Sequence, residues 1–332
     1  MASSISSTFR SNFRSCFGVG FRRSLVLAVA ALTLATPTFA EDGQVRRLVL
    51  MAGKPSHPPR MHEFNAGVQL MAKCLADVPG LRTDFLLNGW PQDEQILKDA
   101  DAIVFYMDGG QRHEVVQEDG RRLKQIEQWT RSGVGVGFMH FGVEVVADQA
   151  GGEFKRWIGG HYEHMHSCNP IWEPKFTHFA DHEITTGVKP FQIKDEWYFN
   201  MRFVNDQPGI ESGQWDRMKF TPILVAVPSD DVRDGPYVYP KGPYPHIQAN
   251  KGRAEAMMWA VERADTEQPA RGFGFTGGHF HDNWGDDNFR KVVLNACVWL
   301  AKARVPSGGV ESKVTQADLD ANLDPKQPRR KK

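Results

Sequence analysis

The 332-residue sequence has no excess of charge, few cysteines and only one long apolar run. Lysine and arginine total 40, as do aspartate and glutamate. That balance conceals a mildly acidic body. Residues 1–40 carry four arginines and no acid, and residues 307–332 carry six basic and four acidic side chains, which leaves 30 basic against 36 acidic over 41–306. Such a body offers no electrostatic footprint for a phosphate backbone, so nucleic acid is excluded as a partner. Cys16 lies in the leader described next, and the odd remainder of Cys74, Cys168 and Cys297 excludes a full disulfide framework. A body this long can bury a sufficient core without such staples. Cys74 and Cys297 sit on apolar helical faces and read as core. The hydrophobic fraction of 41% and charged fraction of 24% exclude a disordered, collagenous or coiled-coil chain. No internal repeat is present.

The one apolar run, 25–35, is broken only by Thr33 and is shorter than the roughly 20 residues a spanning helix needs. Arg22-Arg23 precede it, and Thr38-Phe39-Ala40 supplies the small residues of a cleavage point before Glu41. Ser24-Leu25-Val26 after the paired arginines also fits a twin-arginine signal, although Phe21 stands where Ser or Thr is usual. The ordinary secretory reading is preferred. Residues 1–40 are therefore expected to be a signal peptide, and the mature protein to be exported, periplasmic or secreted, with no membrane anchor.

From about residue 46, short β-rich runs alternate with one-sided helices. Residues 48–51, 85–87, 102–106 and 134–139 read as strands. Phe64, Val68, Met71 and Leu75 share one helix face, residues 92–99 form a short helix, and Leu123, Ile126, Trp129 and Thr130 mark another over 117–131. Strands joined by such helices imply right-handed crossovers and a parallel sheet covered on both faces. Residues 223–227, 257–261 and 273–276 resume the strands, and Phe289, Val292, Val293, Ala296, Cys297 and Leu300 line a last helix opened by Asp286-Asp287. Between the halves, 151–215 is rich in His, Trp, Pro and Asp without periodicity, which marks a functional loop region. The expectation is one α/β domain over 41–306, with 151–215 over the carboxyl edge of a mainly parallel sheet. Residues 307–332 are expected to be a polar, disordered tail.

Ligands of open parallel sheets bind beyond the carboxyl ends of the strands, so residues just after strands are the first candidates. His140 follows Gly137-Phe138-Met139 at a sharp strand-to-helix turn, the position where hydrolases display a nucleophile. His279 and His281 follow the strand at 273–276 in Gly277-Gly278-His279-Phe280-His281-Asp282-Asn283-Trp284-Gly285. In an extended segment their rings share one side. Asp195-Glu196-Trp197-Tyr198 is the best carboxylate pair. Adjacent carboxylates point apart, so one faces the site as acid, base, hydroxyl acceptor or metal ligand, and the other pairs with Arg202. His161, His164, His166 and Cys168 form a dense run whose donors suit Zn²⁺, although the spacing matches no zinc signature and the rings can equally line a polar pocket.

Gly137-Phe138-Met139-His140, Trp157-Ile158-Gly159-Gly160, His182-Glu183-Ile184-Thr185-Thr186-Gly187, Asp195-Glu196-Trp197-Tyr198 and Gly277-Gly278-His279 occur in this order. Together they resemble the ThuA-like (trehalose utilisation) family over roughly 46–303. Two features depart from it: Glu183 stands where the family has proline, and the histidine-rich run at 161–166 is not general. The resemblance implies a flavodoxin-like three-layer sandwich of the class I glutamine amidotransferase-like type and a place in carbohydrate metabolism. It also places His140 where amidotransferases keep their cysteine, so glutamine hydrolysis has no nucleophile here. Three functions stay open. One is an enzyme, a hydrolase or a lyase or isomerase, acting on a sugar or keto-sugar by proton transfer through His140, Asp195 or Glu196, and His279. The second is a non-catalytic sugar-binding protein, and the third a metal-dependent hydrolase. In each, a small-molecule carbohydrate is the partner. Glu163, His164 and His281 are expected at the wall of the cleft, with Trp197, Tyr198, Arg202 and Trp284 among the sugar contacts.

Overall fold

The apolar run at 48–52 is buried on both faces: Leu48, Val49, Leu50, Met51 and Ala52 are all fully buried. A strand with this pattern belongs in the middle of a sheet covered on both sides. The computed structural model describes residues 44–206 and 208–326, and the expected leader and its cleavage point lie outside the described residues. Four strands come from the first half: β1 (Arg46–Ala52), β2 (Leu81–Leu86), β3 (Ala102–Tyr106) and β4 (Gly135–Met139). Four follow in the second: β5 (Gly213–Trp215), β6 (Met218–Ala226), β7 (Glu255–Arg263) and β8 (Ala270–Phe275). They form one sheet in the order β5-β6-β7-β8-β4-β3-β1-β2.

β1 pairs in parallel with β2 and β3, β3 with β4, and β4 with β8. The expected return to parallel strands fails beyond β8, because β7 runs antiparallel to both β8 and β6, and β5 is an antiparallel edge. The sheet is mainly parallel, and its order reverses between β1 and β3, where an open α/β sheet forms its ligand crevice.

Alternation along β1 divides the core. Leu48, Leu50 and Ala52 pack with helices α1 (Phe64–Leu75) and α4 (Asp287–Leu300), while Val49 and Met51 pack with Ile126 of α2 (Arg121–Arg131) and with Phe154, Trp157 and Ile158 of α3 (Gly152–Ile158). The result is a three-layer α/β sandwich. The insertion serves two places rather than one. Residues 195–200 reach the carboxyl edge, but Trp172, Phe176, Ile184 and Phe191 join the core around α4, whose Asn295 amide donates to the carbonyls of Ile184 and Thr186 at 2.9 Å. Almost every side chain of α4 is consequently buried.

The tail expected to be disordered is instead packed as far as residue 326. Val310 and Leu319 are buried, a short helix (Gln316–Asp320) opens on a Thr315–Asp318 capping box, and Lys326 ion-pairs with Glu63 at 3.3 Å. Its charges are matched one by one on the body, Lys73 with Asp318 and Arg60 with Asp320, which composition alone does not reveal. Among the described residues no helix is long and apolar enough to cross a membrane.

Glycines at 272 and 274 of β8 let neighbouring groups lie against the sheet. A Cβ at Gly272 would stand 2.2 Å from the Trp157 carbonyl oxygen. Gly272→Ala is therefore expected to lower stability by about 1–3 kcal/mol, the usual cost of overpacking, read as an earlier urea midpoint with unchanged slope. An unchanged midpoint would mean that α3 is free to retreat from the sheet.

Candidate functional site

Each parallel strand of the sheet centre delivers one polar group at its carboxyl end. His62 ends the loop after β1, Asp108 stands two residues beyond β3, His140 immediately follows β4, and His279 lies four residues after β8. His140 has φ of 52°, in the left-handed region that a histidine occupies only when its surroundings hold it there. The loop carrying His279 is fixed by Asp195, which accepts N–H groups from Gly278 (2.8 Å), His279 (3.0 Å) and Glu196 (2.7 Å) and the Asn283 amide (2.9 Å). The strand at 195–196 then turns the next side chain the opposite way, and Glu196 enters the cluster. The tail holds the first loop: the Lys326 ammonium donates to the His62 carbonyl at 2.9 Å.

Three imidazoles meet here. His62 Nε2 lies 3.0 Å from His140 Nε2 and 3.0 Å from His279 Nδ1, and the last two are 3.3 Å apart. Glu196 Oε2 stands 2.7 Å from His279 Nδ1 and 3.9 Å from His140 Nε2. All four side chains are buried. Their outer atoms are bonded in turn: His62 Nδ1 to Asp108 Oδ1 (3.0 Å), His140 Nδ1 to the Thr276 carbonyl (3.0 Å), and Glu196 Oε1 to the Asn169 amide (2.8 Å). Burial, and then the neighbouring imidazoles, hold the pKa values of His62 and His140 well below the ordinary imidazole value. Burial raises that of Glu196, against the pull of His279. The Tyr198 hydroxyl lies 3.3 Å from His140 Nε2. The arrangement is a compact set of lone-pair donors, able to take up a proton or a metal ion.

The comparisons with known proteins bear on the same stretch. The family model described as trehalose utilisation, ThuA, matches residues 49–300. The chain belongs to the ThuA family. Among solved structures it is similar to a ThuA-like protein from Bacteroides uniformis (TM-score 0.50, 13% identity, 80% of this chain and 95% of that one). It is also similar to one from Parabacteroides merdae (TM-score 0.50, 15% identity, 82% and 93%). At these identities the likeness carries the fold. Comparison with curated proteins finds no match.

On this ThuA fold the remaining expected site residues scatter. Asp195 faces the 278–283 loop rather than the cluster. His281 begins a 3-10 turn (His281–Gly285) instead of continuing extended, so its ring parts from that of His279 and is buried near Glu63, Arg60 and Asp282. Trp197 and Trp284 are fully buried; Trp197 packs on Phe176, Phe275 and Phe289, out of reach of a sugar. Arg202 pairs at 2.7 Å with Glu163, not with Asp195 or Glu196, and borders a separate cavity of about 180 Å³ with His166, His246 and Arg253. The expected zinc run does not form a donor set. His161 is buried with Nδ1 on the Tyr162 carbonyl, His164 looks toward Glu144, His166 stacks on His246, and Cys168 is buried where its backbone bridges to Phe199. Closeness in sequence is undone by the turn at 163–166.

Four residues escaped the sequence reading. Asp108 stands two residues after a strand, much as His140 does, so the same rule would have found it, whereas His62 lies ten residues after β1 and carries no such signal. Tyr239 is 70% exposed, and its backbone N–H donates to Asn169, the residue that holds Glu196. Glu144 lies partly buried near the Glu196 charge, and desolvation first and then Glu196 push its pKa up to about 8. Asp108 and Ser56 also border a cavity of about 390 Å³ with Lys54, Gln111 and Arg112.

Because the folded-state pKa of Glu144 is raised, its contribution to stability is full below the unfolded value and is lost as pH rises toward the folded one. Glu144→Gln, which mimics the protonated acid, should match wild type near pH 4.5 and gain on it steadily up to about pH 8, then run parallel. Melting midpoints measured across that range check this. A constant difference between the two proteins would show that Glu144 is not protonated in the folded state at neutral pH.

Proposed function

We propose that this protein is an exported enzyme that acts on a carbohydrate, either a glycoside or its keto derivative, at the cluster of His62, His140, His279 and Glu196. The observation that carries the reading is the convergence of these four side chains at the carboxyl edge of a sheet whose family is described as trehalose utilisation. A sugar offers hydroxyl and carbonyl oxygens and acidic C–H groups, which is the chemistry that neutral imidazole and carboxylate serve by proton transfer. His140 and Glu196 are the proton-handling pair, His279 the group between them, and Glu144, protonated at neutral pH, the acid. Tyr239 is an exposed aromatic whose backbone N–H donates to Asn169, the residue that holds Glu196, and it is suited to lie against the apolar face of a sugar ring. Asp195 is a positioning residue that sets the His279 loop. The basic, apolar and small-residue succession at 1–40 supports export, and N-terminal sequencing of protein from native cells tests it by whether the chain begins at Glu41.

A panel of disaccharides, glucosides and their keto derivatives, followed by product analysis, tests the activity. Glu196→Gln should lower kcat/KM by roughly 100-fold or more with its fold intact, in keeping with loss of a general acid–base group. Tyr239→Ala should raise KM with little change in kcat. Absence of both turnover and binding across the panel would contradict the reading, and binding without turnover would make the protein a sugar-binding one.

A further inference from the structure

The ring nitrogens of the cluster are fixed by their outer partners. Asp108 Oδ1 accepts from Ser56 Oγ at 2.9 Å as well as from His62 Nδ1 at 3.0 Å, so His62 carries its proton on Nδ1. The Thr276 carbonyl can only accept, so His140 also carries its proton on Nδ1. In their neutral forms both Nε2 atoms are therefore bare, and they face each other at 3.0 Å. Two lone pairs at hydrogen-bond distance repel unless a cation lies between them. Tyr198 can donate to the His140 lone pair but does not relieve the contact with His62. His279 Nδ1 and Glu196 Oε2 complete the group, and all four donor atoms lie within 4.8 Å of one another.

We infer that His62 Nε2, His140 Nε2, His279 Nδ1 and Glu196 Oε2 bind one divalent transition-metal ion. Ligands about 2.0–2.1 Å from such an ion lie about 2.9–3.4 Å apart when adjacent, a range that contains the three nitrogen–nitrogen separations of 3.0, 3.0 and 3.3 Å. Three imidazoles and one carboxylate suit Zn²⁺, with Fe²⁺, Co²⁺ and Ni²⁺ as competitors. The outer contacts are those of a metal site: one imidazole donates to a carboxylate, another to a backbone carbonyl, and the liganding carboxylate is itself held by an amide. The three histidines come from loops after β1, β4 and β8, so the sheet itself aligns them. With the ion bound, these four atoms would be its ligands and no longer free to carry protons, and the ion would instead polarise a hydroxyl or carbonyl oxygen of the substrate. That catalytic part rests on the sugar reading, whereas the binding of the metal does not.

The test is calorimetric titration of chelator-treated protein with Zn²⁺, with no sugar present. One ion per chain and a higher melting midpoint with metal are expected. His62→Ala and His279→Ala should each weaken binding by roughly tenfold or more. Glu196→Gln retains the Asn169 bond and is the conservative check: it should weaken binding with an unchanged apo midpoint. His161→Ala and Cys168→Ala should bind as wild type does. Absence of stoichiometric binding by Zn²⁺, Co²⁺ and Ni²⁺, or affinity unmoved by His62→Ala, His279→Ala and Glu196→Gln together, would overturn the inference. A protein that binds zinc but turns over no sugar would retain the site and lose the proposed function, and active protein without zinc would do the reverse.

Discussion

Two bare ring nitrogens, on His62 and His140, held 3.0 Å apart in a buried place with His279 Nδ1 3.0–3.3 Å from both, are the constraint on which the rest of the structure turns. Left to themselves the rings would rotate to pair each nitrogen with a donor. Here the rotation is blocked on every side: Asp108 holds His62, the Thr276 carbonyl holds His140, and Glu196, steadied by Asn169, holds His279. Backbone strain is accepted as well, since His140 sits at a positive φ. Such costs are typical of sites where geometry serves function rather than stability.

The supporting shell explains why distant parts of the chain are ordered together. Asp195 ties the strand at 195–196 to the loop of His279, and the tail reaches back through Lys326 to the carbonyl of His62. Tyr106 at the end of β3 donates to the Gly278 carbonyl, joining the switch point of the sheet to the same loop. The insertion, the tail and the sheet thus meet around one group of side chains. The turn after β4 presents an imidazole that forms part of this buried group. One fold serves unrelated chemistry by changing the residues at its strand ends.

The central strands were legible because runs such as 48–52 and 102–106 are apolar on both faces, and His140 and His279 followed from standing at strand ends. His62 was not, because it lies at the close of a proline-rich loop without periodicity. Alternation showed that Asp195 and Glu196 face opposite ways but not which of them faces the site, a matter decided by the pairing of 195–196 with 171–172. The direction of β7 was hidden because strand composition does not encode the partner's direction, and a long connection separates it from β6. The histidines at 161–166 looked like a metal run only along the chain; in space their rings part. The tail misled because its polar side chains are matched to charges on α1 and its neighbours rather than to solvent.

X-ray absorption at the zinc edge of the zinc-loaded protein tests the donor set most directly. The account predicts nitrogen and oxygen neighbours at about 2.0–2.1 Å, with the outer-shell scattering of three imidazoles. A sulfur neighbour at about 2.3 Å, which would bring Cys168 into the site, or scattering from fewer than three imidazoles, would contradict it.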